Sequence, residues 1–192
     1  MYYSPNNKEY LNLVQLRKKF NSCIPDNTNL FNGYYKVYPG TKPETNKYQT
    51  LVILPDVVFV KGKCYETYEV RDMNINVAKN MAKNEAKTKY NTAKANKQAY
   101  VKSSLGINIQ CNDTALTNIN QMLLTNKDEY TFITYENEEY KASKEDIQKI
   151  LEEVANVQEN LYIQYQNYKT TIENAEKTED IANLNIEYKM EI

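Results

Sequence analysis

Apolar side chains recur at helical spacing over one long stretch: Ile147, Ile150, Leu151, Val154, Val157, Leu161, Tyr165, Tyr168 and Ile172. Steps of three and four, held over this length, predict an amphipathic helix with one buried face. Ser143, with Asp146 three residues on, supplies a capping-box-like start. A different pattern fills residues 75–102. There Ala78, Ala82 and Ala86 recur every four residues, and Met81, Tyr90, Ala93, Lys97 and Tyr100 continue a thin stripe. Lys79, Lys83 and Lys87 form a basic row beside it. No Pro or Gly interrupts this segment, so a helix is predicted over 75–102, with Gly106 as its stop. A face so poor in large apolar groups stabilises a lone helix weakly. It calls for close packing on another helix, either a neighbour in the same chain or a second copy.

Elsewhere the pattern turns to alternation. The runs Leu51–Val60 and Cys64–Val70 flank Lys61-Gly62-Lys63 and read as a β-hairpin with Gly at the tight position. In the second strand Tyr65, Thr67 and Glu69 share one face, while Cys64, Glu66, Tyr68 and Val70 share the other. This predicts a strand wet on one side and packed on the other. Tyr34–Tyr38 reads as a short strand, and Tyr130–Tyr135 with Glu139–Ala142 as a second hairpin. Glu9–Phe20 fits a short helix through Leu13, Leu16 and Phe20, with strand left open. Ile107 and Ile109 alternate in a short strand, and Asn112 or Asp113 could cap a helix through Leu116, Ile119 and Leu123. Thr178-Glu179-Asp180 caps a last short turn before alternation returns at Leu184, Ile186 and Tyr188.

Composition sharpens this division. All five prolines and three of the four glycines precede residue 73. Charge breaks at the same places. Residues 1–74 carry ten Lys and Arg against seven Asp and Glu, residues 75–102 seven against one, and residues 103–192 seven against seventeen. The expected fold class is α+β: a β-rich N-terminal module over 1–73, a connecting helix over 74–103 that is a candidate for oligomerisation, and a C-terminal module over 104–192 with a β-hairpin and the long amphipathic helix. Eighteen tyrosines against four Phe and no Trp reflect mainly the codon usage of a low-GC genome. Enrichment for contact surfaces is the smaller contribution.

The chain has no histidine, which removes Ser-His-Asp and Cys-His catalysis and His-ligated zinc. Four glycines with no close pair exclude phosphate-cradling glycine loops. Cys23, Cys64 and Cys111 lie more than 40 residues apart and read as free thiols of a reducing compartment. The N-terminus lacks the basic and apolar regions of a signal peptide, and Pro55 and Asp56 interrupt the longest apolar run, so no membrane insertion is expected. Glu138 and Glu139 are a carboxylate pair, but neighbours in a strand point to opposite faces. The Lys row has no Arg beside it, and sequence-blind attraction to phosphate is all it offers, so no nucleic-acid partner is expected. No catalytic, cofactor-binding or metal-binding residue emerges. The candidate interface residues are Ala78, Ala82, Ala86, Lys79, Lys83 and Lys87 on the helix, with Tyr65 and Tyr68 on the hairpin.

The order of these parts carries a resemblance. Leu16-Arg17 leads to Ile24-Pro25, then to Gly33 followed by Tyr35 and Val37, then to the Lys61-Gly62-Lys63 turn with Tyr65 and Tyr68, and to Val70-Arg71-Asp72 before a polar helix. This resembles small bacteriophage tail proteins of the tail fibre and tail fibre assembly type, many of which close with a C-terminal domain of unknown function. Residues 106–124, the hairpin leading into Ser143-Lys144-Glu145-Asp146, and Lys169–Ile172 with Thr178-Glu179-Asp180-Ile181 meet that domain's pattern. The sequence departs from the family in holding Tyr65 and Tyr68 where Trp is expected. The resemblance implies a non-enzymatic structural or adaptor protein at a tail fibre or baseplate, with other tail proteins as partners. It also implies a homo-oligomer, a trimer being favoured, and a location in the virion tail after assembly in host cytoplasm. A fibre assembly chaperone absent from the finished particle is the alternative.

Overall fold

The structure, a computed structural model, describes residues 1–191. It is an α+β protein that divides into two compact units, Met1–Met73 and Asn74–Ile192.

The first unit is built on a six-stranded sheet. Strands β1 (Tyr2–Ser4), β2 (Glu9–Leu11), β3 (Leu30–Phe31), β4 (Tyr34–Tyr38), β5 (Gln49–Val60) and β6 (Lys63–Asp72) run in the order β2-β1-β4-β6-β5, with β3 also on β4. The pairing is antiparallel except between β4 and β6, where Val37 lies against Cys64 and Tyr38 against Tyr65. Residues 9–20 use both readings open to them, β2 and then helix α1 (Leu13–Phe20). Asn12 starts α1, its side chain accepting from the Gln15 N–H at 2.9 Å while the Gln15 side chain accepts from the Asn12 N–H. The core is aromatic. Tyr2, Leu16, Ile24 and Tyr34 are buried together, with Phe20 set edge-on to Phe31 and Tyr34.

The β5–β6 hairpin turns where expected, with Lys61 at φ 47° and Gly62 at φ 75°. Two successive positive φ values suit the right-handed twist of a hairpin. The expected wet and packed faces of β6 do not separate. Only Cys64 is buried, and Tyr65 to Val70 are all half-exposed. The reason lies in the topology: past Tyr65, β6 pairs with no strand but β5 among the described residues.

The second unit contains α2 (Ile75–Ala95), β7 (Tyr100–Lys102), β8 (Asn108–Gln110), α3 (Asp113–Leu124), β9 (Glu129–Ile133), β10 (Glu139–Ser143), α4 (Lys144–Asn174) and α5 (Thr178–Ala182). Its core joins Ile109, Ile119, Ile147, Ile150, Val154 and Val157 with Val101 and Phe132. Helix α4 starts at Ser143, whose hydroxyl accepts from the Asp146 N–H while the Asp146 carboxylate accepts from the Ser143 N–H. Asn112 caps α3 through the Ala115 N–H at 2.9 Å.

Two expectations need correction here. The helix expected over 75–102 ends at Ala95, and Tyr100–Lys102 instead pairs antiparallel with β8. Burial of Val101 against Ile109 favours the strand, and Gly106, at φ 85°, serves the turn of this small hairpin rather than a helix stop. The last short turn forms where Thr178-Glu179-Asp180 predicts it, as α5, its start held by Asp180, which accepts from the N–H groups of Glu176 and Lys177 at 3.2 and 2.9 Å. Beyond α5, residues 184–191 alternate in burial without joining a sheet. No helix among the described residues is long and apolar enough to cross a membrane.

Candidate interaction surfaces

Small residues every fourth position let two helix backbones approach closely. In the second unit Ala78, Ala82 and Ala86 are fully buried, and α2 packs on α4. The helix that the alanine stripe calls for is therefore supplied within the chain. Of the lysine row, Lys79 Nζ donates to the Glu173 carbonyl at 2.8 Å and Lys83 pairs with the Glu173 carboxylate at 3.1 Å, while Lys87 is exposed. The Lys83 hydrogen bond, and then its charge, hold the Glu173 carboxyl below the usual carboxylate range. Cations here also sit favourably at the C-terminal end of α4. The row thus meets α4 at Glu173, near the helix's C-terminal end. Glu153 turns inward, accepting from the Ser104 N–H at 2.9 Å and from the Ser104 hydroxyl.

The same helices enclose an aromatic cluster that sequence reading did not assemble. Tyr90 of α2 stacks on Tyr165 of α4 with ring centroids 5.0 Å apart, and Tyr162 and Tyr188 lie at 6.4 and 6.0 Å. Tyr168 meets Tyr188 edge-on at 5.5 Å. The available signal was the three-residue spacing of Tyr162, Tyr165 and Tyr168, which puts their rings along one side of a helix. Burial pushes the Tyr188 hydroxyl well above its ordinary range, aided by the neighbouring tyrosines. It also pushes the Cys111 thiol up to about 11, so this cysteine is a core residue and a poor nucleophile.

Tyr65 and Tyr68 belong to a different surface, on the first unit. Both line a shallow groove of about 580 Å³ together with Gly40, Val58, Val60 and Thr67. Tyr38 and Tyr65 rings lie 5.9 Å apart, and the Tyr68 hydroxyl donates to Glu66 at 2.7 Å. That bond to a carboxylate raises the Tyr68 hydroxyl above its ordinary value. Gly40 lets the chain after β4 approach β6 closely: a Cβ there would lie 2.0 Å from the Glu66 carbonyl oxygen. Val58 and Val60 of the groove, with Ile53 and Phe59 on the same strand, expose 42 to 59 % of their surface. They lie on β5, an edge strand of the sheet. A long edge strand with exposed apolar side chains is a ready template for contact with another chain. Among the described residues no group of three or more His, Cys, Asp or Glu could hold a metal ion.

Comparison with known families places the larger part of the chain. Residues 78–188 match the family described as a Domain of unknown function (DUF4376). The chain belongs to this family. The DUF4376 match begins at the first buried alanine of α2 and ends at Tyr188 of the aromatic cluster, so it takes in the α2–α4 pair and both small hairpins. The β5–β6 groove lies outside it. No curated protein and no solved structure matches the chain.

Proposed function

We propose that this protein is a non-enzymatic structural or adaptor component of a bacteriophage or prophage-derived tail, at the fibre or baseplate, and that it acts by protein–protein contact. The observation that carries the reading is positional. A domain of unknown function spans residues 78–188, which include residues 106–181, where the resemblance to small tail proteins puts such a domain's pattern, behind an N-terminal module whose motifs follow those proteins in order. The apolar edge strand and tyrosine groove of the first unit support contact as its mode of action. Other tail proteins are the partners this reading names, with self-association, a trimer first, beside them. The same surface would suit an assembly chaperone that covers a fibre protein until it is built in, and particle composition separates the two.

A tagged chain expressed during induction of the producing strain tests the contact. It should co-purify with identified fibre or baseplate proteins. Val58→Lys with Val60→Lys, both exposed positions, should lose them while keeping the wild-type circular dichroism spectrum. Recovery of no tail protein with the wild-type chain contradicts the proposal.

A further inference from the structure

Residues 184–191 lie as an extended strap along α2 and α4. Ile186 is buried and Tyr188 and Met190 half-buried, while Glu187, Lys189 and Glu191 are exposed. No backbone–backbone hydrogen bond holds residues 185–191 among the described residues. Helix side chains hold the main chain instead. Tyr168 Oη donates to the Glu187 carbonyl at 2.8 Å and accepts from the Glu187 N–H at 3.1 Å. Gln164 does the same for Lys189, Nε2 donating to its carbonyl at 2.8 Å and Oε1 accepting from its N–H at 2.9 Å. Asn160 Nδ2 donates to the Glu191 carbonyl at 3.2 Å. From α2, Lys89 Nζ donates to the Ile186 carbonyl at 3.0 Å, and Tyr188 Oη donates back to the Ala86 carbonyl at 2.9 Å.

The two periods match. Four residues of α-helix rise about 6 Å, and two residues of extended chain rise about 6.7 Å. Positions 160, 164 and 168 therefore stay in step with 191, 189 and 187 running the opposite way. An amide or hydroxyl that grips both the N–H and the carbonyl of one residue takes any non-proline residue there. Selection falls to the alternate inward side chains, as it does when a peptide is added to a sheet edge. Asn156 continues the four-residue series and is exposed. Open cavities of about 470 and 260 Å³ flank the strap, one against Lys89 and Ala93, the other against Gln164 and Leu184.

We propose that the α2–α4 groove is a receptor for an extended segment, that residues 184–191 fill it in cis, and that two copies of this chain exchange those segments. The second copy is the trans occupant whose every contact is already specified by this sequence. Its Glu187, Lys189 and Glu191 side chains stay outside, so no charge has to enter the groove. The last main-chain bonds before the strap are those of the Asn183 and Leu184 N–H groups to α5, which makes 183–185 the hinge. Exchange replaces each cis contact by the same contact in trans. The cis segment keeps only its effective concentration, on the order of millimolar for a short connection, so exchange grows with local concentration. The inference rests on the second unit alone and does not depend on the tail reading.

Met190 gives the test, because its Sδ lies 3.5 Å from Cys111 Sγ. Cys23→Ser with Met190→Cys, prepared as 15N-labelled and unlabelled chains, would be refolded together in a glutathione redox buffer at about 1 mM chain. Peptides joined by a disulfide between Cys111 and the substituted position 190 would then be weighed. Heavy–light pairs on the order of a tenth or more of the total, falling in proportion on dilution, are expected. Heavy–heavy and light–light pairs alone overturn the proposal. Should that variant not fold like wild type, a fluorescent peptide of residues 184–191 added to the unaltered chain decides. Saturable binding, weakened tenfold or more by N-methylation at 187 and 189, supports trans occupancy. Absence of saturable binding overturns it.

Discussion

Glu153 is a carboxylate only 8 % exposed, buried beside the turn between β7 and β8. Burial opposes its charge, yet donors from Ser103 and Ser104 outweigh burial and hold the carboxyl below the usual range. A depressed folded-state value means that its stabilisation is present above the unfolded value and is lost as pH falls through the folded one. Glu153→Gln is expected to destabilise the second unit by about 1–3 kcal/mol at neutral pH. It should also flatten the loss of stability on acidification, read from urea midpoints at neutral pH and near pH 4. A variant that retains the wild-type slope in acid contradicts the assignment. Gly40 makes a steric claim instead. Gly40→Ala sets a Cβ against the Glu66 carbonyl oxygen and should cost the first unit about 1–3 kcal/mol by denaturant unfolding. Neither residue was legible in the sequence. A buried carboxylate on a strongly acidic helix looks like its solvated neighbours, and a glycine needed for close approach looks like a turn glycine until its neighbour in space is known.

At the scale of elements, legibility followed the strength of the period. Helix α4 could be read end to end because its apolar face repeats from Ile147 to Ile172 and Ser143 caps it. Helix α2 was overrun by seven residues, Ala95 against 102. Its Ala and Lys positions set a weak period that continues formally through Tyr100, while the strand at Tyr100–Lys102 depends on β8, which follows later in the chain. The strap was legible as alternation, but alternation does not say whether the neighbour is another strand or a ladder of helix side chains. The alanine stripe makes the corresponding prediction. Ala82 is fully buried, so Ala82→Leu should wedge α2 from α4 and cost about 1–3 kcal/mol. Lys87→Ala, on the exposed side, should stay within about 0.5 kcal/mol. Equal effects of the two, in paired thermal or urea unfolding, would mean that the stripe is not the packing face.

For the whole molecule, the contact network divides between Met73 and Asn74, and the loss of proline and glycine near residue 73 marks the same stretch of sequence. Each unit has its own buried cluster, one aromatic and one aliphatic. Residues 74–192 expressed alone are therefore expected to give a cooperative unfolding transition and dispersed amide resonances; a collapsed, non-cooperative species would contradict their independence. The function proposed for the chain is likewise a property of the whole molecule, since the family domain and the exposed β5–β6 surface lie in different units. Peptide mass spectrometry on gradient-purified tail particles, beside the unfractionated lysate, tests that account most directly. A structural component is expected in the particles at a fixed ratio to the tube or sheath protein. Abundance in the lysate with absence from the particles would contradict it.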